Sequence, residues 1–151
     1  MRQAVRALVV RDGYLLVMYR NKFGQEYYTL PGGSVNPNEA PMHALLRQIN
    51  EETSLTIVNP RLVITDDAGD PFGMQYVYLC QYVGGEPKLS PTSEEAKITA
   101  LGQNLYSPQW LPLHSLPSVP FRSEALKQAM MQGLSRGFST TAIAINSKQE
   151  V

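Results

Sequence analysis

Two adjacent carboxylates, Glu51 and Glu52, close a segment that opens on the double glycine Gly32-Gly33. Glu39, Arg47 and Gln48 lie between them in LPGGSVNPNEAPMHALLRQINEETSL, residues 30–55. Two carboxylates on one helical turn repel each other unless something positive lies between them. A magnesium or manganese ion is the natural counter-charge, because hard cations prefer oxygen ligands. Gly32 and Gly33 let the backbone come close, so a carbonyl could join Glu51 and Glu52 around such an ion. A divalent cation held this way bridges phosphate oxygens and activates a water molecule. Taken alone, a double glutamate is an ordinary solvated pair. That it falls at a helix C-terminus, the unfavourable end for negative charge, argues only mildly for a function.

A helix over residues 39–52 must position these groups. Asn38 is the expected N-cap, with Glu39 near the positive end of the dipole and Pro41 in the first turn. Met42, Leu45, Leu46 and Ile49 recur at helical spacing and form the expected docking stripe. Gln48 is three residues from Glu51 and four from Glu52, so the three can share a face, and Arg47 can reach Glu51.

Around this helix the chain reads as strands. Residues 3–10 and 14–19 flank Arg11-Asp12-Gly13, a hairpin signal. Further strands are expected at 25–30, on both sides of Asn59-Pro60, at 74–83 and at 109–113. Residues 86–107 read mostly as loop, and 123–134 as a second helix capped by Ser123. The expectation is one α/β domain over residues 1–136, with a mixed sheet between helices. Residues 137–151 form a tail in which TAIAI, 141–145, is either an edge strand or weakly ordered.

The 151 residues carry thirteen Lys plus Arg and thirteen Asp plus Glu. A neutral chain has no general attraction for a nucleic-acid backbone, so no polymeric nucleic acid is expected as partner, while a small anionic ligand needs only a local cluster of cations. No apolar run is long enough for a membrane span. Arg6, Arg11 and Asp12 interrupt any signal-peptide core, and the single Cys80 reads as a buried small hydrophobe, so a cytoplasmic setting is expected.

The spacing in the central segment is more specific than its composition. Gly33, five residues, Glu39, seven residues, Arg47, then Ile49, Glu51, Glu52 and Leu55 resembles the Nudix box, G-x5-E-x7-R-E-U-x-E-E-x-G-U with U aliphatic. Leu30-Pro31 before it and Pro108-Gln109-Trp110-Leu111-Pro112-Leu113 after it are similar to the family's flanks. The box covers residues 33–55. The resemblance implies an α/β/α sandwich that hydrolyses a nucleoside diphosphate linked to another group, with water attacking phosphorus and magnesium or manganese as cofactor. It implies Glu51, Glu52 and the Gly32 carbonyl as metal ligands, and Glu39 with Arg47 as the pair that orients the helix. It also makes a homodimer plausible.

Two positions depart from the pattern. Ser54 replaces a glycine, at some backbone strain. Gln48 replaces a glutamate that in some members is the general base or a metal ligand. A glutamine cannot accept a proton from water at neutral pH, though its amide oxygen can still meet a metal or a water. Either the base lies elsewhere, or the metal suffices, or the site is impaired. Glu94 and Glu95, in LSPTSEEAKI, are the candidate loop bases, against the plain reading of an exposed acidic loop.

Arg20, with Lys22 nearby, is a candidate for the diphosphate, as is Gly33 for substrate approach; a surface charge at a strand end is the competing reading. Tyr27 and Tyr28 alternate across a strand, so one is expected to face the cleft. His43 and His114 receive no catalytic role, and Asp66, Asp67 and Asp70 read as turn residues. Two functions follow: a metal-dependent pyrophosphohydrolase, or a nucleotide-binding or sensing module with impaired catalysis. Gln48 favours the second; the retained Glu51 and Glu52 favour the first. Damaged nucleoside triphosphates, nucleotide sugars, ADP-ribose and dinucleoside polyphosphates all remain open as substrates.

Overall fold

The computed structural model describes residues 2–148. Strand β1 (Gln3–Arg11) turns through Asp12 and Gly13, both at positive φ, into β2 (Tyr14–Lys22). This is the hairpin expected from Asp-Gly, since its turn type needs positive φ at both central residues. β3 (Gln25–Thr29) and β4 (Gly32–Ser34) lead to α1 (Pro41–Thr53). β5 (Thr56–Asp67) and β6 (Met74–Gly84) form the next antiparallel pair. Then come α2 (Glu94–Ala100), β7 (Asn104–Pro112), a 3-10 turn at Leu113–Ser118, α3 (Glu124–Arg136) and β8 (Ile143–Asn146).

The sheet is mixed, in the order β3-β2-β1-β6-β5-β8, with β4 pairing β1 and β7 pairing β2. β1–β6 and β5–β8 are parallel, and the remaining pairs antiparallel. Alternation along β1 serves both faces: Val5, Ala7 and Val9 pack with Ala44, Leu45 and Ile49 of α1, while Leu8 packs with Leu126, Ala129 and Met130 of α3. The result is the α/β/α sandwich. Each fully buried Leu or Ile at these contacts contributes about 1.5–3 kcal/mol.

The α1 stripe differs from the expected one. Ala44, Leu45, Ile49, Glu52 and Thr53 are buried, whereas Met42 and Leu46 are 36% and 49% exposed. Leu45 and Ile49 already fill the contact with the sheet, and the stripe turns toward Glu52. Asn38 is not the cap. It sits at φ +65°, and Ala40 is the capping residue without a side-chain hydrogen bond. A turn closes ahead of the helix instead, through Glu39 N–H to Asn36 O and Asn36 N–H to Glu39 Oε1. Glu39 therefore precedes α1.

Residues 86–107 are not mostly loop, since they hold α2 and the start of β7. Ser93 caps α2, its hydroxyl accepting Ala96 N–H, and Ser123 caps α3 by accepting Leu126 N–H. Asp66 is not a turn residue. It lies buried in β5 and accepts the Ser147 N–H and hydroxyl. Cys80 is buried, which pushes its thiol up to about 12. Among the described residues, no helix is long and apolar enough to cross a membrane.

Candidate active site

Glycine starts the site. Gly32 has φ +145°, and a Cβ there would meet Val5 O at 1.9 Å, so β4 lies against β1 only because the residue has no side chain. Gly33 leaves room for the Gln48 amide, whose Nε2 would lie 2.6 Å from a Cβ at that position. The Gln48 amide donates to Ser34 O at 3.2 Å. A carboxylate in this pose could not make that bond.

Arg47 and Glu39 form the rigid part. The guanidinium donates to Glu39 Oε2 at 2.8 Å through Nε and to Oε1 at 2.9 Å through Nη2, a bidentate pair. Nη2 also reaches Ser34 O at 3.2 Å, so one arginine ties together the turn before α1, the helix and β4. The Arg47 hydrogen bonds, then the Asn36 N–H, hold the Glu39 carboxyl well below the usual carboxylate range. His43 adds a contact to Glu39 at 3.0 Å from an exposed position.

Glu52 is the opposite case. It is 5% exposed, and its hydrogen bond from Gly32 N–H is long at 3.4 Å. Burial pushes its carboxyl up to about 8; Arg6 opposes the rise and Glu95 adds to it. Glu95 is also raised, by burial and then by Glu51 and Glu94, against its own backbone N–H. One buried and one half-buried carboxylate thus line the same cleft of about 640 Å³.

That cleft separates the candidates named from sequence. Glu52, Glu95, Gln48, Gly32, Gly33, Arg20 and Lys22 line it; Glu51, Glu94, His43 and His114 do not. Glu51 points to Arg47 at 3.7 Å with its side chain 41% exposed, so α1 splits the double glutamate between cleft and rim. Glu94 is exposed on α2, one residue from the inward-facing Glu95. Arg20 donates to Leu105 O at 3.1 Å and to Asn104 Oδ1, and lies over the Tyr106 ring at 3.6 Å. Tyr27 lines the cleft with Arg122 over its ring at 4.2 Å, while Tyr28 packs into the core.

Arg6, Tyr106 and Arg122 belong to the same cleft and were not picked out from sequence. Arg6 donates to Gln75 Oε1 and Leu30 O, both at 3.2 Å. Burial lowers its guanidinium from the ordinary value, and Glu52 counters that. Its signal was present in the alternation: Arg6 replaces an apolar residue on the Leu8 face of β1. Arg122 and Tyr106 carry no such mark, because they reach the cleft from a loop and from a strand whose start was not recognised.

Among the described residues, no three His, Cys, Asp or Glu groups are close enough to form an all-side-chain metal cage. The donor set still suits a hard cation. It offers Glu52 and Glu95 with amide and carbonyl oxygens, and magnesium is usually held by one or two carboxylates together with water and substrate phosphates.

The fold agrees with that of known proteins. A NUDIX domain model matches residues 1–131. The NAD-capped RNA hydrolase of Pseudomonas fluorescens is 26% identical over 113 residues, 75% of this chain and 37% of that protein. The ADP-ribose pyrophosphatase of Methanocaldococcus jannaschii is 28% identical over 134 residues, 85% of this chain and 72% of that protein. The crystal structure of a MutT NUDIX hydrolase from Burkholderia pseudomallei superposes with a TM-score of 0.65 at 27% identity, covering 87% of this chain and 96% of that one. The chain spans less than half the length of the NAD-capped RNA hydrolases it matches, at 37% and 43% of two of them. The chain belongs to the NUDIX family.

Proposed function

We propose that the chain hydrolyses a diphosphate bond in a nucleoside diphosphate derivative, using magnesium or manganese. The observation that carries this reading is Glu52: a buried carboxylate with one long hydrogen bond, in a cleft that Glu95, Arg6, Arg20 and Arg122 also line. Carboxylates kept under-compensated beside guanidinium groups suit an anionic substrate that brings a divalent cation with it. The cation would offset charge on the diphosphate and raise the acidity of the attacking water.

The chain's own groups then have distinct tasks. The guanidiniums of Arg20 and Arg122, stacked on Tyr106 and Tyr27, orient phosphate oxygens. Glu52 would hold the cation from α1. Glu95 takes the proton from water as general base, its raised pKa bringing it nearer neutrality than an ordinary glutamate. Gln48 braces Ser34 O, and Arg47 with Glu39 fixes the helix that carries Glu52. Glu51 remains a candidate outer ligand from the rim.

Some relatives are named for NAD-capped RNA and another for ADP-ribose. Both substrates contain an adenosine diphosphate unit. The balanced net charge favours the small molecule over contacts along a polymer. The test is hydrolysis of ADP-ribose, nucleotide sugars, dinucleoside polyphosphates, oxidised nucleotides and NAD-capped RNA with magnesium, beside Glu52→Gln. Turnover that disappears in the variant supports the reading. Nucleotide binding with no turnover above the variant would overturn it in favour of a sensing module.

A further inference from the structure

The cleft continues beyond the carboxylates to a wall built by the C-terminal strand. Residues 143–146 lie outside the span matched by the family model, yet β8 pairs in parallel with β5 at Ile64–Asp67. Immediately after it, Ser147 donates its N–H to Asp66 Oδ1 at 3.1 Å and its hydroxyl to both carboxylate oxygens at 2.9 and 2.8 Å. Lys148 sits 3.7 Å from Asp67, and its Cβ lies against Gly69. Asp66 and Ser147 are 4% and 7% exposed, and both line the cleft.

The register gives the distance between the two ends. Ser34 of β4 pairs Ala4, Ala4 pairs Gln75, and Gln75 pairs Asp66. Three strand spacings of about 4.8 Å put Asp66 roughly 14 Å across the sheet from β4, the strand whose Gly32 N–H meets Glu52. The chemistry differs along that length. Near Glu52 the rings of Tyr27 and Tyr106 are already covered by guanidiniums. At the far end Pro71 and Phe72 present apolar surface beside Asp66, Gln75 and Ser147, and Phe72 is 52% exposed. Arg2 and Gln75 hold the Phe72 carbonyl at 3.2 and 2.8 Å, fixing where the ring starts.

We propose that Ser147, locked to Asp66 by the C-terminal strand, is a specificity-determining residue that closes the end of the cleft where the substrate's nucleobase lies. A flat heteroaromatic ring with a polar edge matches an open aromatic side chain next to a buried carboxylate, hydroxyl and amide. The inference rests on the diphosphate reading above, and equilibrium binding keeps the two separable.

The experiment titrates ADP, GDP, CDP, UDP and inorganic pyrophosphate, with magnesium, into the full chain and into Ser147→Ala and Ser147→Thr. The wild type should prefer one base over the others. Ser147→Ala should weaken that nucleotide about tenfold and flatten the preference, with pyrophosphate affinity unchanged. Ser147→Thr keeps the hydroxyl and should retain the preference. Equal affinities for all four nucleotides in the wild type would overturn the assignment. So would a Ser147→Ala effect that is absent, or that falls equally on pyrophosphate. A lack of turnover with these affinities intact would count against the hydrolase reading alone.

Discussion

Glu39, in the turn before α1, and Glu52, in the last turn of α1, are treated in opposite ways. Glu39 has a bidentate arginine, a backbone N–H and a histidine. Glu52 has a single long hydrogen bond and a second carboxylate in view. The first arrangement holds geometry, because every acceptor site finds a donor. The second keeps electrostatic demand in reserve, and a bound cation or substrate would meet it. A folded chain tolerates that second state where function needs it.

Removing the reserve should have the largest effect. Glu52→Gln is expected to bring hydrolysis to background. The pH response adds to this. Between the ordinary value of 4.5 and about 8, the folded protein holds a proton on Glu52 that the unfolded chain releases. Metal-free stability contributed by this group should therefore fall as pH rises through that window. Glu39 has the opposite sign: its contribution is present above the ordinary carboxylate range and is lost as pH falls. Thermal melts of wild type and Glu52→Gln across pH, without metal, check both slopes. The variant should lose only the first.

The adjacent pair on α2 sharpens the contrast. Glu95→Gln should lower kcat about 100-fold, whereas Glu94→Gln, exposed and outside the cleft, should stay within about twofold. Steady-state kinetics that ranked the two the other way would refute the assignment of the base.

Breaking the satisfied end should act through position. Arg47→Ala should lower the melting temperature by about 3–8 °C and reduce kcat, because the helix carrying Glu52 loses its tether. Calorimetry and kinetics on one preparation test the link between the two losses.

Gln48→Glu should act less. It replaces a donor to Ser34 O with a carboxylate, so metal-free stability should fall by about 1–2 kcal/mol, with partial recovery on adding magnesium. Denaturant titration with and without the ion reads this. The smallest effect belongs to Ser54→Gly. Relief at φ +60° is offset by loss of the Ser54 hydroxyl bond to Lys88 O at 2.6 Å, so stability should move by less than about 1 kcal/mol.

What could be read from the chain beforehand follows the range of the interactions. Asp12-Gly13 and Ser123 were legible because turn and cap chemistry is local. The box residues were legible through their spacing, which runs from β4 through the turn at Glu39 into α1. Asn38 misled because its cap competed with the Glu39 turn, which depends on Arg47 eight residues away. Met42 and Leu46 misled because periodicity cannot tell how wide a stripe the sheet will cover. The α2 segment is short, and Pro91 with several polar neighbours masked it. Asp66 looked like a turn residue because its partner, Ser147, lies 81 residues further along. The split between Glu51 and Glu52, and between Glu94 and Glu95, depends on helix rotation against the sheet, which no local pattern encodes.

The most direct test of the central claim is divalent cation binding, read by the electron paramagnetic resonance of Mn2+ with and without ADP. Wild-type protein should bind the ion, more tightly with nucleotide present, and Glu52→Gln should lose most of this while remaining folded. Unchanged Mn2+ affinity in Glu52→Gln would contradict it, because the buried carboxylate would then not be what holds the cation.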